Sequence, residues 1–244
     1  MTAALELRDV QAGYGVFRAL FGVSLTVQPG EAVALVGPNG AGKTTIARVA
    51  SGLIAPTDGA VLVDGEDLAG KPTSAFARAG VAHAPEGRSV FATLSVEENL
   101  VLSIHRIRGR GGVQDGLAAA YEIFPRLADR RSQLAGTLSG GEQRMLAMAR
   151  VLVDTPKLLV ADELSLGLAP LIVKQTYESL ATLRDAGAAL LVIEQHVSHA
   201  IELCDRVVVM EHGQVSWNGP SGEAAERVQQ FLYVPTGGEA EANR

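Results

Sequence analysis

The sequence predicts an α/β fold with a mostly parallel core sheet, an antiparallel β element near the N-terminus and a helical insert. Three short apolar runs, at residues 32–36, 158–161 and 188–193, have the length and composition of buried strands. Helical patterns separate these runs, and alternation of buried strands with helices is typical of a parallel sheet with helices on both faces. Between residues 85 and 156 no convincing strand pattern occurs, which predicts the helical insert.

The N-terminal region shows the pattern of antiparallel strands. Residues 5–10 alternate apolar and charged side chains, as expected of a half-exposed strand, and residues 16–27 predict a second strand that ends at a Gln-Pro-Gly turn. A hairpin-like pair is expected around residues 60–63, between turns at 57–59 and 64–65. Residues 81–84 predict a short buried strand that ends at Pro85.

Two capping boxes mark helix starts within the insert. Ser95 is followed three residues later by Glu98, and Ser139 is followed in the same way by Glu142. Residues 116–124 form a further helical stretch, which we expect to stop at Pro125. The insert should therefore consist of helices joined by loops.

The C-terminal part returns to the core. We expect a helix over residues 171–185, another over 197–203, and strands at 207–210 and 215–217. The tail after Pro235 is rich in Gly, Glu and Ala and is predicted to be disordered.

Composition limits the class of protein. The chain has 244 residues, 47% of them hydrophobic, and its longest uncharged stretch, residues 19–30, is too short and too polar to span a bilayer. No secretion signal is recognised at the N-terminus, so we expect a cytoplasmic protein. A net charge of −6 argues against a general affinity for nucleic acid. The single Cys204 excludes an intramolecular disulfide and is interpreted as a packing residue.

The strongest chemical signal follows the first apolar run. It is Gly37-Pro38-Asn39-Gly40-Ala41-Gly42-Lys43-Thr44, followed by Thr45, and it fits the P-loop pattern. The glycines let backbone N–H groups surround phosphate oxygens, and the helix that follows adds its positive dipole end. Lys43 can reach the β- and γ-phosphates, while Thr44 can offer its hydroxyl to Mg²⁺. This segment predicts binding of a nucleoside triphosphate.

Two further segments complete a family resemblance. Leu138-Ser139-Gly140-Gly141-Glu142-Gln143 resembles the signature motif of ABC transporter ATPases, and residues 158–163, ending in Asp162 and Glu163, resemble a Walker B strand. With the P-loop, and over nearly its full length, the chain resembles the nucleotide-binding subunit of an ABC transporter. The resemblance implies one P-loop ATPase domain over residues 1–235, followed by a disordered tail at 236–244. A RecA-like core with a β subdomain would cover about residues 1–86 and 157–235, and a helical subdomain about 87–156.

The resemblance also assigns roles to individual residues. Asp162 would hold Mg²⁺ through water, and Glu163 would polarise the attacking water as the catalytic base. His196 resembles the switch histidine that contacts the γ-phosphate, and Tyr14 the aromatic residue that stacks on adenine. Residues 139–142 would bind the γ-phosphate of ATP held by the opposite subunit.

Three positions depart from the family pattern. Glu86 stands where the family usually has Gln in the loop between core and insert, and it can still lie near Mg²⁺ through water. Leu164 replaces the Pro that usually follows the catalytic Glu, and Ala169 stands in place of the D-loop Asp. Ala169 has no carboxyl group, so whether this chain makes the cross-interface contact of that Asp stays open.

The segments around Glu86, Ser95 and Ala169 together resemble ATPases of branched-chain amino-acid importers. Their implied partners are a second ATPase subunit (the same or a related one) in a head-to-tail pair, integral membrane permeases and, indirectly, a substrate-binding protein. The chain would then be peripheral on the inner face of the cell membrane. Urea and short-chain amide importers are close relatives, so the cargo stays open.

Two readings from other classes compete with a transport ATPase. A soluble ABC ATPase acting on DNA or ribosomes would need a long coiled-coil insertion or two cassettes with a basic linker, and this acidic chain has neither. A regulatory nucleotide-binding module without catalysis is suggested by Leu164 and Ala169. A P-loop GTPase is disfavoured because the sequence lacks an Asn-Lys-x-Asp motif.

Overall fold

A computed structural model describes residues 2–84, 90–153, 155–165, 169–194 and 201–224, without the side chains of residues 106–108 and 110. Two predicted site residues, Glu86 and His196, lie outside these ranges, as do the predicted helix start at 197–200 and the predicted disordered tail.

The strands of the described part are, in chain order, β1 (Leu5–Tyr14), β2 (Phe17–Val27), β3 (Ala32–Val36), β4 (Asp58–Val63), β5 (Glu66–Asp67), β6 (Val81–Ala84), β7 (Leu158–Asp162), β8 (Ala189–Ile193), β9 (Arg206–Glu211) and β10 (Gln214–Pro220). The α-helices are α1 (Lys43–Ala50), α2 (Thr73–Arg78), α3 (Val96–Arg108), α4 (Val113–Ile123), α5 (Pro125–Asp129), α6 (Gly140–Leu152) and α7 (Pro170–Asp185), with 3-10 turns at Arg110–Gly112 and Ala135–Thr137.

Two sheets form, as the sequence predicts. An antiparallel sheet has the order β2-β1-β4-β5, and the core sheet has the order β10-β9-β3-β8-β7-β6. In the core sheet every pairing from β9 to β6 is parallel, and only the edge strand β10 runs antiparallel to β9. The expected mostly parallel core and N-terminal antiparallel element are confirmed.

The core sheet is buried on both faces because its strands carry apolar side chains at successive positions. In β3, Ala34 and Val36 pack into a cluster with the insert helices and α7, whereas Val33 and Leu35 pack into a second cluster with α1 and the antiparallel sheet. A strand whose alternate residues face two cores reads as a continuous apolar run. Because β3, β8 and β7 are neighbours that run parallel, their carboxyl ends lie side by side at one edge of the core sheet.

Residues 90–153 are helical apart from turns and one isolated bridge, which agrees with the predicted insert. Both capping boxes are confirmed, since the N-cap side chains of Ser95 and Ser139 accept hydrogen bonds from the backbone N–H groups of Glu98 and Glu142. Pro125 does more than stop a helix, because it also begins α5 as an N1 proline. The short helix α2 was not predicted.

Among the described residues, no helix is long and apolar enough to cross a membrane.

Cys204 lies in the core cluster that includes Leu203 and Val207, and it is 3% exposed. Its interpretation as a packing residue is confirmed. Burial, and next to it the neighbouring charge of Asp205, raises the pKa of the Cys204 thiol to about 12. The folded protein therefore keeps this group as a thiol at pH values where an exposed cysteine is largely ionised.

We predict that a thiol reagent such as iodoacetamide will not label the native protein at pH 9 but will label it after unfolding in urea. The chain has one cysteine, so the label reports this site alone. Because the folded pKa is the higher one, the native state loses stability relative to the unfolded state as pH rises from about 9 towards 12. Labelling at equal rates in both states would contradict the burial of Cys204.

Candidate nucleotide site

The loop between β3 and α1 has the backbone that a phosphate cradle requires. Gly37, Gly40 and Gly42 have φ angles of 152°, 80° and 99°, in the region that favours glycine. A Cβ atom on Gly37 would lie 2.3 Å from the carbonyl oxygen of Met210, and one on Gly42 would lie 2.8 Å from Leu20. The loop therefore packs closely against neighbouring strands. Helix α1 begins directly at Lys43.

Lys43 is held inside this loop. Its side chain is 5% exposed, and its Nζ donates hydrogen bonds to the carbonyl oxygens of Gly37 at 2.7 Å and Pro38 at 2.9 Å. Burial lowers the pKa of the Lys43 ammonium, while the charges of Glu163 and Asp162 act in the opposite direction. The structure therefore places the P-loop lysine within electrostatic range of both predicted Walker B carboxyl groups.

A cavity of about 420 Å³ lies next to the loop. Three residues predicted for the site, Tyr14, Thr44 and Asp162, are brought together in its lining. Its other lining residues are Arg48, Leu53, Ile54 and His83. Residues from four separate segments of the sequence thus share one cavity at the carboxyl edge of the core sheet.

Sequence reasoning missed Arg48, which orients Tyr14. Its Nη1 donates to the Tyr14 hydroxyl at 3.1 Å, and its guanidinium lies 5.8 Å from the centre of the tyrosine ring. The sequence spacing between Thr44 and Arg48 could have identified Arg48 as a site residue. Arg48 follows Thr44 by one helical turn and therefore shares its face of α1.

His83 also lies in the cavity lining. Its Nδ1 lies 3.3 Å from the hydroxyl oxygen of Ser51. Burial, and then the charge of Arg48, lowers the pKa of His83 to about 4, so the imidazole is neutral at pH 7.

The end of β7 carries the two carboxyl groups. Asp162 is 2% exposed and pairs in the parallel ladder with Ile193, while Glu163 is 8% exposed. The Glu163 backbone N–H donates to the carbonyl oxygen of Ile193 at 2.9 Å, and its φ angle is +50°. A left-handed conformation at a residue other than glycine stores strain, and such residues cluster at functional sites.

The residues after Glu163 are fixed from several sides. Leu164, at the usual proline position, is 1% exposed, and its carbonyl oxygen accepts a hydrogen bond from Arg144 Nε at 3.1 Å. Glu194, which we did not single out from the sequence, accepts hydrogen bonds from Ser165. The sequence feature that could have identified Glu194 is a carboxyl group directly after five buried apolar residues. Ala169 is the N-cap residue of α7 and provides no side-chain cap.

The signature segment lies at the start of α6. Ser139 and Glu142 satisfy each other's backbone N–H groups, and Arg130 Nε lies 2.8 Å from Glu142 Oε1. Burial raises the pKa of Glu142, but hydrogen bonds from Ser139 and the charge of Arg130 outweigh it, and the net shift is downward. Residues 139–142 are not among the lining residues of the cavity that holds Thr44 and Asp162.

Comparison with known proteins decides the family. The model of the ABC transporter family matches residues 20–165. The chain belongs to the ABC transporter family. As a member, it is an ABC-type ATPase that binds ATP, which agrees with the resemblance inferred from its motifs.

Several relatives resemble the chain over most of its length. BraG of Pseudomonas aeruginosa, a high-affinity branched-chain amino acid transport ATP-binding protein, is 43% identical over 86% of this chain and 90% of its own. LivF of Archaeoglobus fulgidus, a probable branched-chain amino acid transport ATP-binding protein, is 35% identical over 91% and 94%. The lipopolysaccharide export ATP-binding protein LptB of Escherichia coli is 32% identical over 91% and 92%. A solved ATP binding subunit of an ABC transporter superimposes with a TM-score of 0.81 at 28% identity, covering 94% of this chain and 93% of that one.

We predict that Gly37→Ala will lower the free energy of unfolding more than Gly40→Ala does. Both glycines have positive φ, which costs another residue about 1–2 kcal/mol. At Gly37 the added Cβ also meets a backbone oxygen, and overpacking of this kind costs a further ~1–3 kcal/mol. At Gly40 no described atom lies within 4 Å of the added Cβ. Urea unfolding of the two variants checks this, and equal losses would contradict the loop packing.

Proposed function

We propose that the chain is the ATP-hydrolysing subunit of an importer for branched-chain amino acids. The observation that carries the hydrolytic part is the cavity shared by Tyr14, Thr44 and Asp162 beside a buried P-loop lysine. The cargo is proposed from the similarity to BraG and LivF, whose names give that transport role.

The residues fit ATP together with Mg²⁺. A cavity of about 420 Å³ is within the usual range for small-molecule sites, about 300–1,000 Å³. The backbone N–H groups of residues 39–45 and the Lys43 side chain would hold the phosphates, and Tyr14 would stack on adenine. Thr44 and Asp162 would hold Mg²⁺, with Glu86 nearby through water, because Mg²⁺ is commonly bound by one or two carboxylates plus substrate phosphates. When bound, the ion neutralises charge on the phosphate oxygens.

Glu163 is proposed as the catalytic base. It is the residue that follows Asp162 at the carboxyl edge of the sheet, it is nearly buried, and its charge acts on Lys43. A carboxylate in this place can orient a water molecule and accept its proton as the water attacks the γ-phosphate. His196, three residues after β8 in the sequence, is proposed to hold that phosphate.

A head-to-tail pair would complete each site. Residues 139–142 present the N-terminus of α6, and a Cβ atom added at Gly141 would meet no described atom within 4 Å. A helix start with an open glycine can bind the γ-phosphate of ATP held by a second subunit, which is the same chain or a related one. Closure around ATP and reopening after hydrolysis would follow, because contacts to the γ-phosphate exist only before hydrolysis.

In this cycle the two subdomains of the chain would have different roles. We propose a core with its β subdomain over about residues 1–86 and 157–235 and a helical subdomain over about 87–156, on a chain peripheral to the inner face of the membrane.

A cavity of about 590 Å³ is lined both by core residues such as Leu53 and by insert residues such as Phe91 and Met148. Leu53 and Phe91 are 52% and 49% exposed, so a permease segment seated there would contact both parts. A substrate-binding protein would act on the permeases from outside.

We predict that Glu163→Gln will lower ATP hydrolysis about 10²–10⁴-fold, the usual contribution of a general base, and will trap an ATP-bound dimer. Phosphate release and size-exclusion chromatography with ATP and Mg²⁺, with permease partners where available, measure the two effects. Glu178→Gln is the matched control, because Glu178 is exposed on α7 and should leave both unchanged. Undiminished hydrolysis by Glu163→Gln would disprove the assigned role.

We further predict that cells carrying Glu163→Gln in place of the native gene will lose uptake of labelled leucine and keep uptake of urea and short-chain amides. The variant must be shown to be expressed, in a host without a redundant leucine importer. Unchanged leucine uptake would contradict the branched-chain cargo and direct attention to urea, amides or lipopolysaccharide. The hydrolytic role is tested separately by phosphate release.

A further inference from the structure

A buried residue, Glu194, contacts two segments of the candidate catalytic edge, the P-loop strand and the turn after β7. Glu194 directly follows β8 and is 1% exposed. Its Oε1 accepts hydrogen bonds from the Ser165 backbone N–H at 3.0 Å and the Tyr177 hydroxyl at 2.9 Å, and its Oε2 accepts one from the Ser165 hydroxyl at 2.7 Å. Both carboxyl oxygens of Glu194 thus act as acceptors. Burial, and then Glu194, raises the pKa of the Tyr177 hydroxyl, so that group remains a donor.

The backbone of Glu194 contacts the other segment, the strand that leads into the P-loop. Its N–H donates to the carbonyl oxygen of Leu35 at 3.3 Å, in the strand that leads into the P-loop. The residue therefore bonds through its backbone to the P-loop strand and through its side chain to the turn after β7. It is therefore hydrogen-bonded to both of these segments.

The turn after β7 needs such support because it starts in a strained conformation. Glu163 has φ +50°, and the two residues after it are held by different neighbours, Leu164 by Arg144 and Ser165 by Glu194. Strain of this kind persists only where the surroundings over-determine the backbone, and relaxing it would turn the Glu163 side chain.

We propose that Glu194 is a positioning residue for ATP hydrolysis, which fixes Ser165 and thereby holds Glu163 in the orientation that hydrolysis requires. The inference rests on the proposed role of Glu163, since Glu194 acts through it. A residue that only stabilised the core would affect folding without acting specifically through Glu163.

The test is a double-mutant cycle of Glu194→Gln with Glu163→Gln, measured as single-turnover ATP hydrolysis. Gln has the same size, but its amide nitrogen cannot accept a hydrogen bond from a hydroxyl. In the native background we expect a fall of about 10-fold or more, because small misplacements of a reacting group cost up to ~10²-fold, with the Kd for ATP nearly unchanged. In the Glu163→Gln background we expect a further loss of less than about twofold.

A second readout does not depend on activity. In Glu194→Gln, hydrogen exchange at the Ser165 amide should speed up, because the Gln side chain has one accepting oxygen where the Glu carboxyl group has two. Thr176→Val is the matched control. Thr176 precedes Tyr177 on α7 and is 1% exposed, and its hydroxyl donates to the Ile172 carbonyl oxygen within the helix. The control should leave hydrolysis and Ser165 exchange unchanged.

Equal losses in both backgrounds, or the same loss in Thr176→Val, would overturn the proposal. If Glu163→Gln alone retains full hydrolysis, the proposed base itself is wrong, and the inference falls with it. If Glu163→Gln is inactive while Glu194→Gln matches the native protein, only the inference is overturned. Should Glu194→Gln fail to fold, the cycle is run with Ser165→Ala, which removes the 2.7 Å hydrogen bond, and the same non-additivity is expected.

Discussion

The buried ammonium of Lys43 is the interaction on which the rest of the site depends. A charge that is 5% exposed is costly unless it is compensated. Here the loop carbonyls of Gly37 and Pro38 accept its hydrogen bonds, and Asp162 and Glu163 supply negative charge nearby. This balance requires the P-loop and the end of β7 to lie at one edge, and the parallel register of the core sheet provides that arrangement.

Precision at this edge comes from backbone positions that are strained or closely packed. Gly37 and Gly42 have no room for a side chain, and Glu163 adopts a left-handed conformation. Each is held by a neighbouring element, such as Met210 of β9 against Gly37 and the carbonyl of Ile193 for Glu163. A further neighbour connects the insert to the site, because Arg144 of α6 donates a hydrogen bond to the carbonyl oxygen of Leu164. A movement of the insert would therefore reach the turn that carries the proposed base.

Much of this arrangement was predictable from the sequence because its signals are local. The strands β3, β7 and β8 are continuous apolar runs, and both capping boxes have fixed spacing, so their positions and types were predicted nearly to the residue. The short helix α2 and the role of Pro125 as the start of α5 were missed, because helices of six and five residues have too little periodicity to stand out. Arg48 and Glu194 were missed for another reason. Their partners, Tyr14 for one and Ser165 and Tyr177 for the other, are distant in sequence and meet only in the folded chain.

The most direct test of the account is a crystal structure of the Glu163→Gln protein with ATP and Mg²⁺. We expect the γ-phosphate within about 3 Å of Lys43 Nζ and of the Ser139 hydroxyl of a second copy, with the substituted amide side chain facing it across a single water. Tyr14 should stack on adenine, and Thr44 and Asp162 should face the ion. A nucleotide bound away from the carboxyl edge of β3 and β7 would contradict the account, whereas a phosphate contacted by one copy alone would indicate that the second subunit is a related chain.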